Sequence, residues 1–282
     1  MDEKWKEYYT EEEIKKIQAV EIESLRVFLK ICEQLQITCF LYGGTLLGAV
    51  KYEGFVPWDD DLDLALMRDD YEHFLKEAPA LLSDEYEIQH PKLNKYTPYP
   101  YIKFRRKDTK LVEYVNRKLP INHGIYFDVY PIDNIPDSDE VYKQQLIHLQ
   151  KIVNMFLIRQ CKYFDRPIVS FKDVLRCAKK RLLSIIYKCI PHSYFVRKID
   201  SIMTQNNNIF TKRQGNLFFP RPVNYFDGVL PSVKMKFEGM ELQAPKGYKV
   251  NLYNRYGDIS SLPPKEKRVG HKPYVLEFEE KK

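Results

Sequence analysis

The segment Asp59-Asp60-Asp61-Leu62-Asp63-Leu64-Ala65-Leu66 constrains the fold more than any other, because it places four carboxylates within five positions directly ahead of an apolar run. From Asp61 onward acid and leucine alternate, and successive side chains of a strand point to opposite faces. The pattern therefore predicts a strand that buries Leu62, Leu64 and Leu66 and projects Asp61 and Asp63 together from its other face. Like charges held so close repel unless one is protonated or a cation lies between them. Carboxylate oxygens are hard ligands suited to Mg²⁺ or Mn²⁺, so Asp61 and Asp63 are read as a metal site. Asp59 and Asp60 are less constrained, and either can cap the turn formed by Gly54 to Trp58.

The residues upstream frame this acidic strand. Thr10 and Glu13 make a capping-box pattern at the start of a helix running to about Leu35. A short strand, Thr38 to Tyr42, ends at Gly43-Gly44-Thr45, and Leu46 to Lys51 starts a second helix. Glycines at a strand-to-helix turn allow close backbone approach, and free N–H groups at a helix start favour an anion such as phosphate. Taken alone, Gly43, Gly44 and Thr45 read more readily as an ordinary turn than as a phosphate cradle; their position before the acids gives them weight.

Downstream, Tyr86 to Gln89 and Tyr99 to Arg106 read as strands, and Lys103 and Arg105 share one face of the second. They either hold phosphate oxygens or form a solvated strand edge. In Gly124 to Asp133, Asp128 interrupts an otherwise apolar strand. An isolated buried acid is costly without a partner, and a cation at Asp61 and Asp63 would be one. Helices follow over about Asp137 to Phe164, Ser170 to Cys189 and Ser193 to Gln205. Short strands, one pair of them a hairpin across Glu238-Gly239, and a helix from Tyr248 to Tyr256 complete the chain.

Charge and composition narrow the function classes. The net charge is +6, and residues 170–200 carry eight basic side chains against two acidic ones. Such a patch can meet phosphates, anionic lipid or a charged glycan, and the helix of Ser170 to Cys189 either lies on a membrane surface or packs on its own domain. Met1 to Lys16 is polar and does not read as a signal peptide. Five cysteines without a CxxC pair argue against a disulfide framework and for a cytoplasmic location. The histidines lack zinc spacing.

Several blocks together resemble the LicD family of phosphotransferases, which includes bacterial phosphocholine transferases and is related to the fukutin group. They are Gly43-Gly44-Thr45-Leu46-Leu47-Gly48-Ala49-Val50, Gly54-Phe55-Val56-Pro57-Trp58-Asp59-Asp60-Asp61-Leu62-Asp63, Ile102-Lys103 with Asp108-Thr109, and Gly124 to Asp133. Tyr256-Gly257-Asp258 and Lys267-Arg268 with His271 are similar to the family's C-terminal blocks. The resemblance implies an α+β, nucleotidyltransferase-like mixed sheet with flanking helices. It implies a single domain over 1–282, with core segments of about 38–135 and 210–275 and a helical insertion of about 137–207. By resemblance Asp128 is the third acid of the site, and Arg268 and His271 bind donor or acceptor.

The expected activity is a Mg²⁺- or Mn²⁺-dependent transfer of a phosphorylated alcohol from a CDP-alcohol, with CDP-choline as the type donor, to a sugar hydroxyl. The acceptor would be a cell-surface glycan or its lipid-linked precursor, and nucleic acid is not an expected partner. Contact with the inner membrane face through residues 170–200 is compatible with that acceptor. Two other readings stay open: a nucleotidyltransferase attacking the α-phosphate of a nucleoside triphosphate, and a non-catalytic glycan- or nucleic-acid-binding module. A binding module, however, has no need of Asp61, Asp63 and Asp128 on apolar strands.

Overall fold

The computed structural model describes residues 9–160, 170–218, 225–261, 264, 268 and 273–278. Helix α1 (Glu11–Gln34) starts at the expected capping box: the Glu13 N–H donates to the Thr10 hydroxyl, and the Thr10 N–H donates to the Glu13 carboxylate. Strand β1 (Cys39–Leu41), helix α2 (Gly43–Tyr52), strand β2 (Asp63–Met67) and helix α3 (Arg68–Glu77) follow. Next come β3 (Tyr86–Gln89), β4 (Ile102–Arg106), β5 (Lys110–Val112) and the long β6 (Tyr126–Ile135). Three helices, α4 (Asp139–Gln160), α5 (Phe171–Lys188) and α6 (His192–Met203), separate β6 from β7 (Arg213–Gly215) and β8 (Tyr225–Asp227). The hairpin β9 (Val233–Phe237) and β10 (Met240–Ala244), helix α7 (Tyr248–Tyr256) and β11 (Val275–Glu277) end the described chain.

Seven strands run β3-β4-β6-β2-β1-β10-β9 across one mixed sheet, with β7 added to the end of β6 and β8 to β7. Strand β2 is central: it pairs parallel with β6 and antiparallel with β1, while β1 is parallel to β10. This is the α+β mixed sheet that the sequence predicts. The central position changes the reading of the acidic strand, however. Both faces of β2 are covered, so Leu64, Ala65 and Leu66 are all fully buried. Only Asp63 lies on the strand, and Asp61 is in the segment leading into it. Helix α2 likewise begins at Gly43 and not at Leu46, so both glycines belong to its first turn.

The sheet is held against α1 by aromatic packing. Phe28 meets Phe74, Phe104 and Phe127 with ring centroids 4.8, 5.6 and 5.4 Å apart. The three inserted helices bring a second apolar cluster, in which Tyr142, Leu149 and Phe156 of α4 meet Phe195, Ile199 and Ile202 of α6. One buried carboxylate ties the parts together: Asp133 of β6 accepts from the Arg68 guanidinium of α3 on both oxygens and from the Asn207 amide. Paired acceptance from a guanidinium is among the stronger hydrogen-bond arrangements.

Helix α5 departs from the usual rule that a helix buries its apolar face. Its buried residues are Asp173, Cys177 and Ser184, whereas Phe171, Val174, Leu175, Leu182, Ile185 and Ile186 are exposed.

Candidate functional site

Between the first turn of α2, the acidic segment and the end of α7 lies a cleft of about 550 Å³. Gly44, Asp59, Asp61 and Asp63 form one wall; Tyr52, Trp58 and Tyr256 supply aromatic surface; Lys51 and Arg255 bring positive charge. Local packing explains how the acids arrive there. The Asp63 N–H donates to the Thr45 hydroxyl at 2.7 Å, and the Tyr42 N–H donates to the Asp63 carbonyl at 3.1 Å. Both bonds fix the start of β2 against the start of α2. The Asp63 carboxylate lies directly over Gly43, where an added Cβ would sit 2.2 Å from its oxygen; a Cβ on Gly44 would sit 2.5 Å from an Asp59 oxygen. Gly43 also has φ of +53°, a conformation that favours glycine. The two glycines thus make room for acids, and Thr45, which is buried, holds the strand.

Electrostatically the wall is overloaded. Burial and then the neighbouring Asp61 push the Asp63 carboxyl well above its usual range, opposed by Arg255 and by the Gly44 N–H. Burial together with Asp61, to which it hydrogen-bonds, moves Asp59 up to about 9. A carboxyl-to-carboxyl bond requires a proton between the two groups. Behind the wall, Glu21 of α1 is 1% exposed, and neither of its oxygens has a hydrogen-bond partner among the described residues. Its carboxyl is raised by burial first and then by Asp61, Asp60, Asp59 and Asp63.

Asp128 lies beside Asp63 in parallel register on β6. Its carboxylate accepts from the Lys103 ammonium at 2.9 Å and from the Tyr130 hydroxyl at 3.1 Å. Burial raises Asp128 and Lys103 lowers it, with a net rise. The partner expected for this isolated acid was a cation shared with Asp61 and Asp63; the structure supplies an ammonium group from the next strand. Lys103 is itself buried between the rings of Tyr99, Tyr101 and Tyr126. Arg105 is 1% exposed, with its guanidinium donating to Gln89 and to the Gly124 carbonyl. The structure thus gives Arg105 to the interior of the sheet and does not bring it to the cleft. Arg268 stands over the Trp58 ring at 5.2 Å, on the aromatic side of the cleft. His271 lies outside the described residues.

Arg255 and Glu21 escape a reading of the sequence alone. Glu21 carries a signal, an acid on the helical face that also holds Ile14, Ile17, Leu25 and Phe28. Arg255 carries none beyond its place in the last turn of α7.

The donor set of the acidic wall is all oxygen, and its negative charge exceeds what its own residues neutralise, which is the chemistry of a hard divalent cation. Among the described residues no three His, Cys, Asp or Glu side chains close on one point tightly enough to hold an ion. That agrees with Asp128 being turned to Lys103. Asp61 and Asp63, both lining the cleft, offer carboxylate oxygens of the kind that such an ion takes.

The chain is also similar to known proteins. Over 268 residues the chain is 26% identical to the lipopolysaccharide cholinephosphotransferase LicD of Haemophilus influenzae, a match covering 92% of this chain and 97% of that protein. It is also 31% identical over 115 residues to an uncharacterised protein of Rickettsia typhi, covering 41% of this chain and 33% of that one. Residues 36–153, which hold the glycine turn, the acidic segment, Lys103 and Asp128, match the family described as LicD/FKTN/FKRP, nucleotidyltransferase domain. A LicD-type domain match over residues 36–153 and similarity to a LicD protein along nearly the whole chain are thus what this chain shares with known proteins.

Proposed function

We propose that this protein transfers phosphocholine from CDP-choline to a sugar hydroxyl of lipopolysaccharide or its lipid-linked precursor, releasing CMP. The observation that carries the reading is the acidic wall of Asp59, Asp61 and Asp63 packed on Gly43 and Gly44 in a cleft that also offers aromatic and cationic surface. The end-to-end similarity to the Haemophilus cholinephosphotransferase supports the choice of donor and acceptor. In this reading a Mg²⁺ or Mn²⁺ ion held by Asp61 and Asp63 supplies charge stabilisation for the donor's diphosphate. Trp58 and Tyr256 flank the nucleoside, and Arg255 offsets the charge gathering on the departing CMP phosphate. Asp128, oriented by Lys103 and Tyr130, takes the proton of the attacking hydroxyl. A new bond forms from that hydroxyl oxygen to the phosphorus bearing choline, and the bond from that phosphorus to the CMP oxygen breaks. The cytoplasmic side of the membrane is the proposed location, since it suits the four described cysteines, all free thiols.

The test is CMP release by the purified protein with CDP-choline, CDP-ethanolamine or CDP-ribitol, an acceptor glycan and Mg²⁺ or Mn²⁺. CDP-choline is expected to be the preferred donor. Asp61→Ala and Asp63→Ala should melt cooperatively and release no CMP above background. Near-normal release by either would remove the acidic wall from the mechanism. Pyrophosphate produced from a nucleoside triphosphate, with no CMP from any CDP-alcohol, would favour the nucleotidyltransferase reading.

A further inference from the structure

From the outward-facing apolar stripe of α5 we infer that this helix docks the protein on the surface of an anionic lipid bilayer. On a helical wheel at about 100° per residue, Phe171, Val174, Leu175, Leu182, Ile185 and Ile186 fall within one continuous sector. All six are exposed, from 46% at Val174 to 75% at Phe171. The side of α5 turned to the protein is instead small and polar, consisting of Asp173, Cys177 and Ser184. An apolar face turned to water while a polar strip is buried reverses the ordinary order of burial. The helix is nonetheless well defined at its start, where the Ser170 hydroxyl accepts from the Asp173 N–H.

Charge identifies the occupant. Phe171 to Lys188 holds Lys172, Arg176, Lys179, Lys180, Arg181 and Lys188 against the single acid Asp173. Lys172 and Lys179 border the apolar sector on one side, Arg181 and Lys188 on the other. A second copy seated face to face would set these cations against their equivalents. A bilayer with anionic headgroups answers both features, taking the apolar sector below the headgroups and the cations among them. No described helix is long and apolar enough to cross a membrane, so the contact is peripheral. The inference stands on α5 alone and does not depend on the catalytic reading, which it extends by bringing the protein to a lipid surface.

The experiment is co-sedimentation of the full chain, without donor or metal, with vesicles of mixed phosphatidylglycerol and phosphatidylethanolamine, beside vesicles of phosphatidylcholine. The wild type is expected to pellet with the anionic vesicles, less with the neutral ones, and to be released by salt. The double variant Leu182→Glu, Ile186→Glu should lower partitioning by at least about tenfold. Lys172→Gln and Lys179→Gln should each lower it about fivefold on anionic vesicles only. Melting temperatures close to wild type, expected for exposed positions, show that the variants fold. The proposal is overturned if the wild type stays in the supernatant, or if the Glu variant pellets as well as the wild type. It is also overturned if the wild type is a dimer in vesicle-free solution and the Glu variant a monomer.

Discussion

Three glycine substitutions separate backbone strain from displacement of the acids. Gly239, at the β9–β10 turn, has φ of +73° and nothing within 4 Å of an added Cβ. Gly239→Ala therefore carries strain alone, about 1–2 kcal/mol for a non-glycine residue in the left-handed region. Gly44→Ala carries contact alone, since its Cβ would meet only the far end of Asp59, at 2.5 Å from the oxygen and 3.7 Å from its carbon. The carboxylate can turn aside, and alanine gains about 1 kcal/mol of helix propensity, so stability should hardly change while Asp59 moves. Gly43→Ala carries both. Its Cβ would lie 2.2, 3.0 and 3.2 Å from the Oδ2, Cγ and Cβ of Asp63, so rotation of the carboxylate cannot relieve it and β2 itself must shift. Strain plus overpacking of about 1–3 kcal/mol gives a total of about 2–5 kcal/mol. For a chain of this size that lowers the melting temperature by about 2–4 °C per kcal/mol. The assays are thermal melts with and without Mg²⁺ and CMP release from CDP-choline. Gly239→Ala should keep its turnover and its Mg²⁺-induced rise in melting temperature; Gly43→Ala should lose both, and Gly44→Ala should lose turnover at near-normal stability. A Gly43→Ala protein indistinguishable from Gly239→Ala in all three readouts would refute the placement of Asp63 by Gly43.

Lys103→Met should destabilise by about 1–3 kcal/mol because it leaves the half-buried Asp128 carboxylate without its ammonium partner; adding Asp128→Asn should restore much of that in chemical denaturation. His90 is buried, and burial followed by Lys92, Arg68 and His192 holds its pKa well below the ordinary value. The unfolded chain binds the proton first, so its contribution is present above the ordinary histidine pKa of about 6.5 and is lost as pH falls below it. His90→Asn should flatten stability against pH from neutrality down to pH ~5, as read by urea denaturation. Glu21→Gln, which removes a buried acid facing other acids and without a hydrogen-bond partner among the described residues, should raise the metal-free melting temperature at neutral pH; an unchanged or lower value would mean that Glu21 is not working against its neighbours.

Local pattern was enough for much of this molecule. The capping box at Thr10 and Glu13, the hairpin over Glu238-Gly239 and the extent of α7 are all legible in sequence because each is decided by residues a few positions apart. So was the convergence of the glycine turn with Asp61 and Asp63, since only about fifteen residues separate them. What pairs with Asp128 was not legible, because Lys103 reaches it only through the antiparallel register of β4 on β6. Arg105 two residues further along the same strand is internal for the same reason: alternation names a shared face but not what covers it. The burial of both faces of β2 follows from its place in the middle of the sheet, which no periodicity within the strand can report. Helix α5 shows the limit most plainly, since its sequence declares an apolar stripe, and only the packing of Asp173, Cys177 and Ser184 inward decides that the stripe looks out. Sequence sets which side chains travel together along an element; long-range contact sets which way the element faces.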